Sequence, residues 1–335
     1  MKVHNTILFI TLALLFVALF ICDTLVGSVY LPIKDVFAAI TGGNVDPVTR
    51  SIILDIRIVK ATMAILAGAA LSLSGLQMQT LFRNPLAGPY VLGVSSGASF
   101  GVALFLLGAP LIGITTSPLI SAIGTAGAAW IGAAAVLMLI IILSRRIKDI
   151  MVILILGMML SSALGAIVEI LQYLSNEAAL KSFVVWTMGS LGEVTTAQLS
   201  FIAPIILIGI ALAIATIKPL NVLLLGEVYA QSAGINLASV RRLIFISTTL
   251  LAGTITAFCG PIGFVGLAVP HIARMIFRSA DHRILIPASA IIGAIMMLIG
   301  DILAKVLLLP INTITALMGI PIVVYIVTRN RNLMQ

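Results

Sequence analysis

Charge is what this sequence has least of. Only 9% of its 335 residues are Asp, Glu, Lys or Arg, against 61% hydrophobic; soluble domains run at about 25% charged and about 45–50% apolar. A chain so poor in charge cannot clothe itself in a water-facing surface. That excludes a soluble enzyme or a free-standing binding domain and leaves a polytopic membrane protein. Cysteine is nearly absent: Cys22 and Cys259 both lie in apolar runs, the wrong setting for a structural disulfide, and are expected to be free thiols. No G-x-x-x-x-G-K-[ST] occurs, so no ATP is bound through a P-loop. With neither H-E-x-x-H nor a Cys/His cluster, a metal site is not expected, and no cofactor is. The net charge of +8 does not collect into a basic patch that would grip nucleic acid. No long polar stretch stands apart, so residues 1–335 read as a single polytopic membrane domain.

What is there is a succession of apolar runs. A transmembrane helix needs about 20 mostly apolar residues, and ten runs qualify: 6–28, 58–81, 90–108, 117–143, 150–174, 196–217, 242–260, 264–279, 284–307 and 312–328. The eighth is the weakest, being short and carrying His271 and Arg274. The first follows Lys2 like a signal peptide, but no small-x-small cleavage site comes after Ile21, so it is expected to be a retained helix. With ten spans, thirteen of the nineteen cations fall on the side that holds both termini and six on the other. The positive-inside rule then puts both termini in the cytoplasm.

Two connections are too long for turns. The outer one, 175–195, contains KSFVVWTMGSLGEVT, whose Phe183 and Trp186 suit the headgroup level. The inner one, 218–241, reads as two short helical pieces, 220–232 and 237 onward, broken at Gly234-Ile235-Asn236, with Asn236 capping the second. It suits either an amphipathic segment on the membrane or a docking element for a cytoplasmic partner. An internal echo also runs through the chain. Residues 66–85 and 251–270 align at an offset of 185, with Leu66-Ala67-Gly68 on Leu251-Ala252-Gly253, Gly75 on Gly260 and Pro85 on Pro270. One copy descends and the other ascends, as in the inverted repeats of transporters.

Few side chains could carry chemistry. Gly93-Val94-Ser95-Ser96-Gly97 matches G-x-S-x-G, but that motif needs a strand-to-helix elbow; in an apolar helix its small residues serve close packing. Gly157, Ser161, Gly165 and Glu169 recur every four residues on one helix face, which either packs or lines a polar pathway. Asp301 and Lys305 stand four apart and can pair; charges at that depth are functional candidates. Arg57, Lys60 and Lys305 all lie at outer span ends, against the general bias. They either snorkel or form a cationic collar for an acidic partner.

The run LAGAALSLSGLQMQTLFRNPLAGPYVLGVSSGASFG resembles the FecCD-type permease subunits of the ABC importers for iron-siderophores, haem and cobalamin. So do WTMGSLGEVT, GEVYAQSAGIN, GPIGFVGLAVPHIARMIFRSADHRILIPASAIIGA, GDILAK and LPINTITALMGIPIVVYIV. The resemblance covers about residues 50–330. It implies an all-α membrane protein of about ten transmembrane helices with an inverted repeat, a type II ABC importer permease in the bacterial inner membrane. It implies a homodimer with the substrate path on its axis, two cytoplasmic ATPase subunits and a periplasmic binding protein. The permease itself is then a transport subunit and not an enzyme, and the cargo is a bulky iron chelate, a ferric siderophore ahead of cobalamin or haem. Gly226, Glu227, Ala230, Ala233 and Gly234 match the family's ATPase-coupling helices, within 220–241, and Arg57, Lys60 and Lys305 match its docking cations for the binding protein. The family's usual R-x-P-R is Arg57-Ile58-Val59-Lys60 here, Lys305 replaces a common Arg, and Leu309 and Asn312 replace an acidic residue and a Gly. Lys keeps the charge and loses the bidentate fork. The competing class is an ion-coupled secondary transporter, which would rest on Asp301 or Glu169. An intramembrane enzyme would rest on Ser95 alone.

Overall fold

A computed structural model describes residues 2–27, 29–111, 118–147 and 149–329. Span ends expected at 28 and 117 lie outside the described residues. Within them every regular element is a helix. In chain order these are α1 (Lys2–Leu25), α2 (Ile33–Thr41), α3 (47–81), α4 (Val94–Leu111), α5 (Pro118–Arg146), α6 (Ile150–Leu174), α7 (Glu177–Thr187), α8 (Thr196–Ala215), α9 (Ile217–Leu223), α10 (Glu227–Ser232), α11 (Leu237–Cys259), α12 (Val265–Phe277), α13 (His282–Leu307) and α14 (Ile311–Arg329).

Seven of these are long and apolar enough to cross a membrane: α1, α4, α5, α6, α8, α11 and α13. The apolar stretch Ile58–Leu81 of α3 and the shorter α12 and α14 complete ten segments, each within a few residues of an expected span. The chain passes back and forth, so the loops gather at two ends. The upper end holds residues 26–27, 29–57, 175–195 and 308–310; the lower end holds 82–93, 216–236 and 278–281. α12, the segment expected to be weakest, has 13 residues and so spans only about 20 Å. Residues 260–264 lead into it as non-helical chain.

Some expectations need correcting. The third span starts at Val94 and not at 90, because 82–93 is irregular: Asn84 Oδ1 accepts the Leu86 N–H at 2.9 Å, an Asx turn that breaks the helix. The inner connection has three helical pieces. The stretch expected as one helix over 220–232 divides at Leu224–Gly226, where Gly226 takes φ 114 and ψ 154. That region is essentially reserved for glycine. Asn236 does cap α11, its side chain accepting the Ser239 N–H at 3.1 Å. The outer connection contains a helix, α7. Its Phe183 is buried beside Trp186, with ring centroids 6.2 Å apart. Cys22 and Cys259 are free thiols, the first exposed and the second buried.

The two halves exchange partners. α3 packs on α12 and α13 of the second half, and α11 packs on α4 and α5 of the first. Gly68 of α3 abuts the Gly293 backbone of α13, whereas its echo, Gly253 of α11, lies against Ala133 of α5 and Val94 of α4. Further along, the correspondence lapses. Gly75 is mid-helix against Gly266, while Gly260 terminates α11; Pro85 is in a loop, while Pro270 is inside α12. A polar knot bridges α3, α8 and α11. Ser247 Oγ donates to Gln77 Oε1 at 3.1 Å, and Gln77 Nε2 donates to Thr216 Oγ1 at 3.1 Å. Buried polar groups must find partners, and these three residues find one another.

Candidate functional site

Three cations expected from the sequence converge on one cavity at the upper end. It measures 440 Å³ and is lined by Arg57, Lys60 and Lys305 together with Gly27, Ile56 and Leu308 among others. Residues Ile52–Arg57 form a π turn in α3, the kind of insertion that re-aims a helix face. Arg57 then faces α1 and the chain after it, and Lys60 faces α13.

The three cations are not equivalent. Arg57 is only 4% exposed; Nη1 donates to the carbonyls of Thr24 (3.1 Å) and Leu25 (2.8 Å), and Nη2 donates to Val29 O. This guanidinium closes the end of α1, whose last carbonyls have no helical partner. Lys305 Nζ lies 2.8 Å from Asp23 Oδ1 and 2.8 Å from Asp301 Oδ2, and also donates to the Asp23 carbonyl at 2.9 Å. Lys60 Nζ sits 3.0 Å from Asp301 Oδ1, and its side chain keeps 22% of its surface exposed. The Asp301–Lys305 pair expected from spacing therefore forms and extends to Asp23 and Lys60. Asp23 was missed. It lies at the end of the first apolar run, where only its position opposite Lys305 gives it meaning. Buried carboxylates of this kind need paired charges to remain there.

At the lower end, α9, α10 and the start of α11 present an exposed surface. Ala230 is fully buried and anchors α10; Glu227 Oε1 pairs with Arg241 Nη2 at 2.7 Å; Ala233 and Gly234 are exposed. Gly226 supplies the backbone turn. The side chains that face outward are others: Leu225 (65% exposed), Val228 (80%) and Tyr229 (55%). The motif match did not single them out. Their signal is an apolar pair, Val228-Tyr229, standing just before buried Ala230. Beside them lies a 690 Å³ cavity lined by Glu227, Gln231, Asn236, Arg241 and Arg242, with Ser144 and Ile147 from the end of α5.

The face expected on α6 divides. Gly157 is buried, with space beside it filled by the backbone of Val91 and Leu92. Ser161 Oγ donates to the Gly157 carbonyl at 2.9 Å and lies against Gly93. Gly165 has open space where a side chain would be, and Glu169 is exposed. Gly97 of the G-x-S-x-G sequence abuts Gly132 of α5, and Ser95 lies in the first turn of α4. That is helix packing and no nucleophile elbow.

A paired-charge cavity at one end and an exposed apolar surface at the other suit a transport subunit with two sets of partners. The FecCD transport family matches residues 14–329. The chain belongs to that family. Among similar proteins, the hemin transport system permease protein HmuU of Yersinia pestis is 35% identical over 83% of this chain and 83% of its own length. The molybdate import system permease protein MolB of Haemophilus influenzae is 35% identical over 85% of this chain and 83% of its own. A solved structure described as an inward-facing conformation of a metal-chelate type ABC transporter superposes with TM-score 0.84 at 31% identity, covering 97% of this chain and 99% of that one. This FecCD-family chain is thus an ABC importer permease of type II, a transport subunit and not an enzyme, from a family that works with ATPase and binding-protein partners.

Proposed function

We propose that this permease carries a bulky iron chelate, a ferric siderophore, across the bacterial inner membrane as one half of a homodimer. Two cytoplasmic ATPases drive it and a binding protein delivers the cargo. The observation that carries this reading is the separation of the two surfaces. The upper cavity gathers Arg57, Lys60 and Lys305, and the α9–α10 segment, divided at Gly226, exposes Leu225, Val228 and Tyr229 at the opposite end. In this reading the upper end faces the periplasm and both termini are cytoplasmic. Lys60 makes the principal contact with an acidic residue of the binding protein, since Arg57 and Lys305 are largely taken up inside. Gly226, Glu227, Ala230, Ala233 and Gly234 shape the ATPase-facing surface, and Leu225, Val228 and Tyr229 fill its cleft.

The cargo path runs on the dimer axis. Along α6, Met151, Ile155, Met158, Met159 and Tyr173 are exposed. Such a wall suits a large chelate with an organic exterior better than a bare oxyanion such as molybdate. Gly165 is the member of the α6 face with room beside it; Gly157 and Ser161 hold α6 to its neighbours. Cobalamin and haem fit the same reasoning, and the hemin permease relative favours haem as the second reading. An ion-coupled mechanism is disfavoured because Asp301 is already held by Lys60 and Lys305. The test is uptake of radio-iron siderophore, haem and cobalamin in a strain deleted for this chain. Loss of siderophore uptake alone is the expected result; loss of haem or cobalamin uptake alone would reassign the cargo.

A further inference from the structure

α3 and α13 form one antiparallel strut with a fixed register. Four rungs join them, and residue numbers rise on one helix as they fall on the other. Lys60 pairs with Asp301 at 3.0 Å, and Gly68 and Gly293 meet backbone to backbone. Ser72 Oγ donates to the Ser289 carbonyl at 2.8 Å, and Thr80 Oγ1 lies 2.9 Å from His282 Nε2. From Lys60 to Thr80 is twenty residues of helix, about 30 Å, the thickness of a bilayer's hydrocarbon core. Sliding one helix along the other would break all four contacts at once.

The lower end of this strut is tied to the coupling segment. Asn221 of α9 accepts at Oδ1 from the His282 backbone N–H (2.8 Å) and from His282 Nδ1 (2.7 Å), and its Nδ2 donates to Asp281 Oδ1 at 2.6 Å. Asp281 is held below the usual carboxylate range by the Arg283 N–H and by Asn221, so it is an ionised acceptor. That acceptor fixes which way the Asn221 amide points, and the amide in turn fixes Nδ1 of His282 as the protonated nitrogen. His282 is 1% exposed. An imidazole so placed joins α9, α13 and α3 in one connected set of bonds. The upper end of the same strut carries Asp301 and Lys305, which hold α1 through Asp23.

We propose that Asn221 and His282 are positioning residues that transmit movement of the α9–α10 segment along the α3–α13 strut to the cation cavity. This rests on the reading that the segment meets an ATPase. Displacement of α9 pulls on the N-terminus of α13. Because the strut is rigid, the displacement reappears at Lys60, Asp301 and Lys305, where it opens or closes the cavity. Neither residue touches cargo or nucleotide.

The test uses the permease with its co-expressed ATPase in membranes, in a Cys22→Ser background. A Leu307→Cys probe at the upper end of α13, where Leu307 is 54% exposed, is labelled with a membrane-impermeant maleimide. Labelling without nucleotide is compared with labelling in the vanadate-trapped state. The expected difference is about threefold or more, set by the shift between two conformations. Asn221→Ala and Thr80→Val, the second removing only a hydroxyl at constant shape, should abolish that difference while ATPase co-purifies and basal hydrolysis stays within about twofold. The exchange Asn221→Asp/Asp281→Asn, which restores the bonds with donor and acceptor reversed, should recover it. Retention of the full difference in Asn221→Ala and Thr80→Val, or its absence in the Leu307→Cys parent, would overturn the proposal. Failure of any ATPase to co-purify with the parent would instead remove the functional reading beneath it.

Discussion

Lys60 Nζ of α3 lies 3.0 Å from Asp301 Oδ1 of α13, and Asp301 is shared with Lys305. One buried carboxylate therefore orients two of the three cations that line the upper cavity. Asp301→Asn takes from Lys305, whose side chain is 8% exposed, one of its two carboxylate partners and leaves it Asp23 alone. Leaving a buried charge wholly unpaired costs about 3–5 kcal/mol, and the Asp23 contact keeps the loss here below that. Lys60 is more exposed and turns to water. The expected outcome is a fall of several degrees in the melting temperature of the detergent-solubilised protein. The double variant Asp301→Leu/Lys305→Met should melt lower still, because it leaves the fully buried Asp23 carboxylate without its cation. Equal melting of the single variant and the parent would show that the pair bears no load.

The two cavity cations nearest in sequence should separate by phenotype. Arg57→Ala leaves the carbonyls of Thr24, Leu25 and Val29 without their donor, and each such buried group costs about 1–3 kcal/mol. Its effect should appear as reduced accumulation of folded protein. Lys60→Gln leaves Asp301 paired with Lys305 and should accumulate normally. It should weaken association with the binding protein by about tenfold, through a slower and less salt-sensitive on-rate. Surface plasmon resonance at two ionic strengths measures both quantities.

Close packing gives a sharper contrast. A Cβ on Gly68 would collide with the Gly293 carbonyl, while one on Gly165 meets nothing within 4 Å. Overpacking of a tight contact costs about 1–3 kcal/mol. Gly68→Ala should therefore lower the melting temperature, and Gly165→Ala should leave it unchanged. If Gly165 faces the cargo path, Gly165→Leu will slow uptake without altering ATPase association, which flux and pull-down assays read separately.

At the lower end, Val228 and Tyr229 are the exposed apolar side chains of α10. A charge placed there remains in water in the isolated permease but must be desolvated in an interface. Val228→Asp and Tyr229→Asp should leave melting unchanged and abolish ATPase co-purification. Ala230→Asp, at a fully buried position, should unfold the segment instead.

Much of this was legible in the sequence. Apolar run length located the ten spans, because a helix in lipid must satisfy its own backbone and few residues can interrupt it. The Asp301–Lys305 pair followed from four-residue spacing, and the convergence of Arg57, Lys60 and Lys305 from their shared position at span ends. What escaped was whatever depends on contact between distant segments. Asp23 is one apolar-run residue among many until Lys305 reaches it across the fold. His282 and Asn221 are ordinary loop polar residues until α9 folds against α13. The division of the inner connection at Gly226 was missed because its residues have no helix-breaking character apart from one glycine. The G-x-S-x-G match was read from its apolar setting as close packing, and Gly97 against Gly132 bears that out.

The central claim is that transport needs ATP and a binding protein acting at opposite ends of this chain. The direct measurement is cargo uptake into proteoliposomes that contain the permease with its co-purified ATPase, with ATP enclosed and cargo-loaded binding protein outside. Uptake that requires both ATP and the binding protein, and does not respond to an imposed proton or sodium gradient, is the predicted result. Uptake that continues without ATP and follows the ion gradient would contradict it.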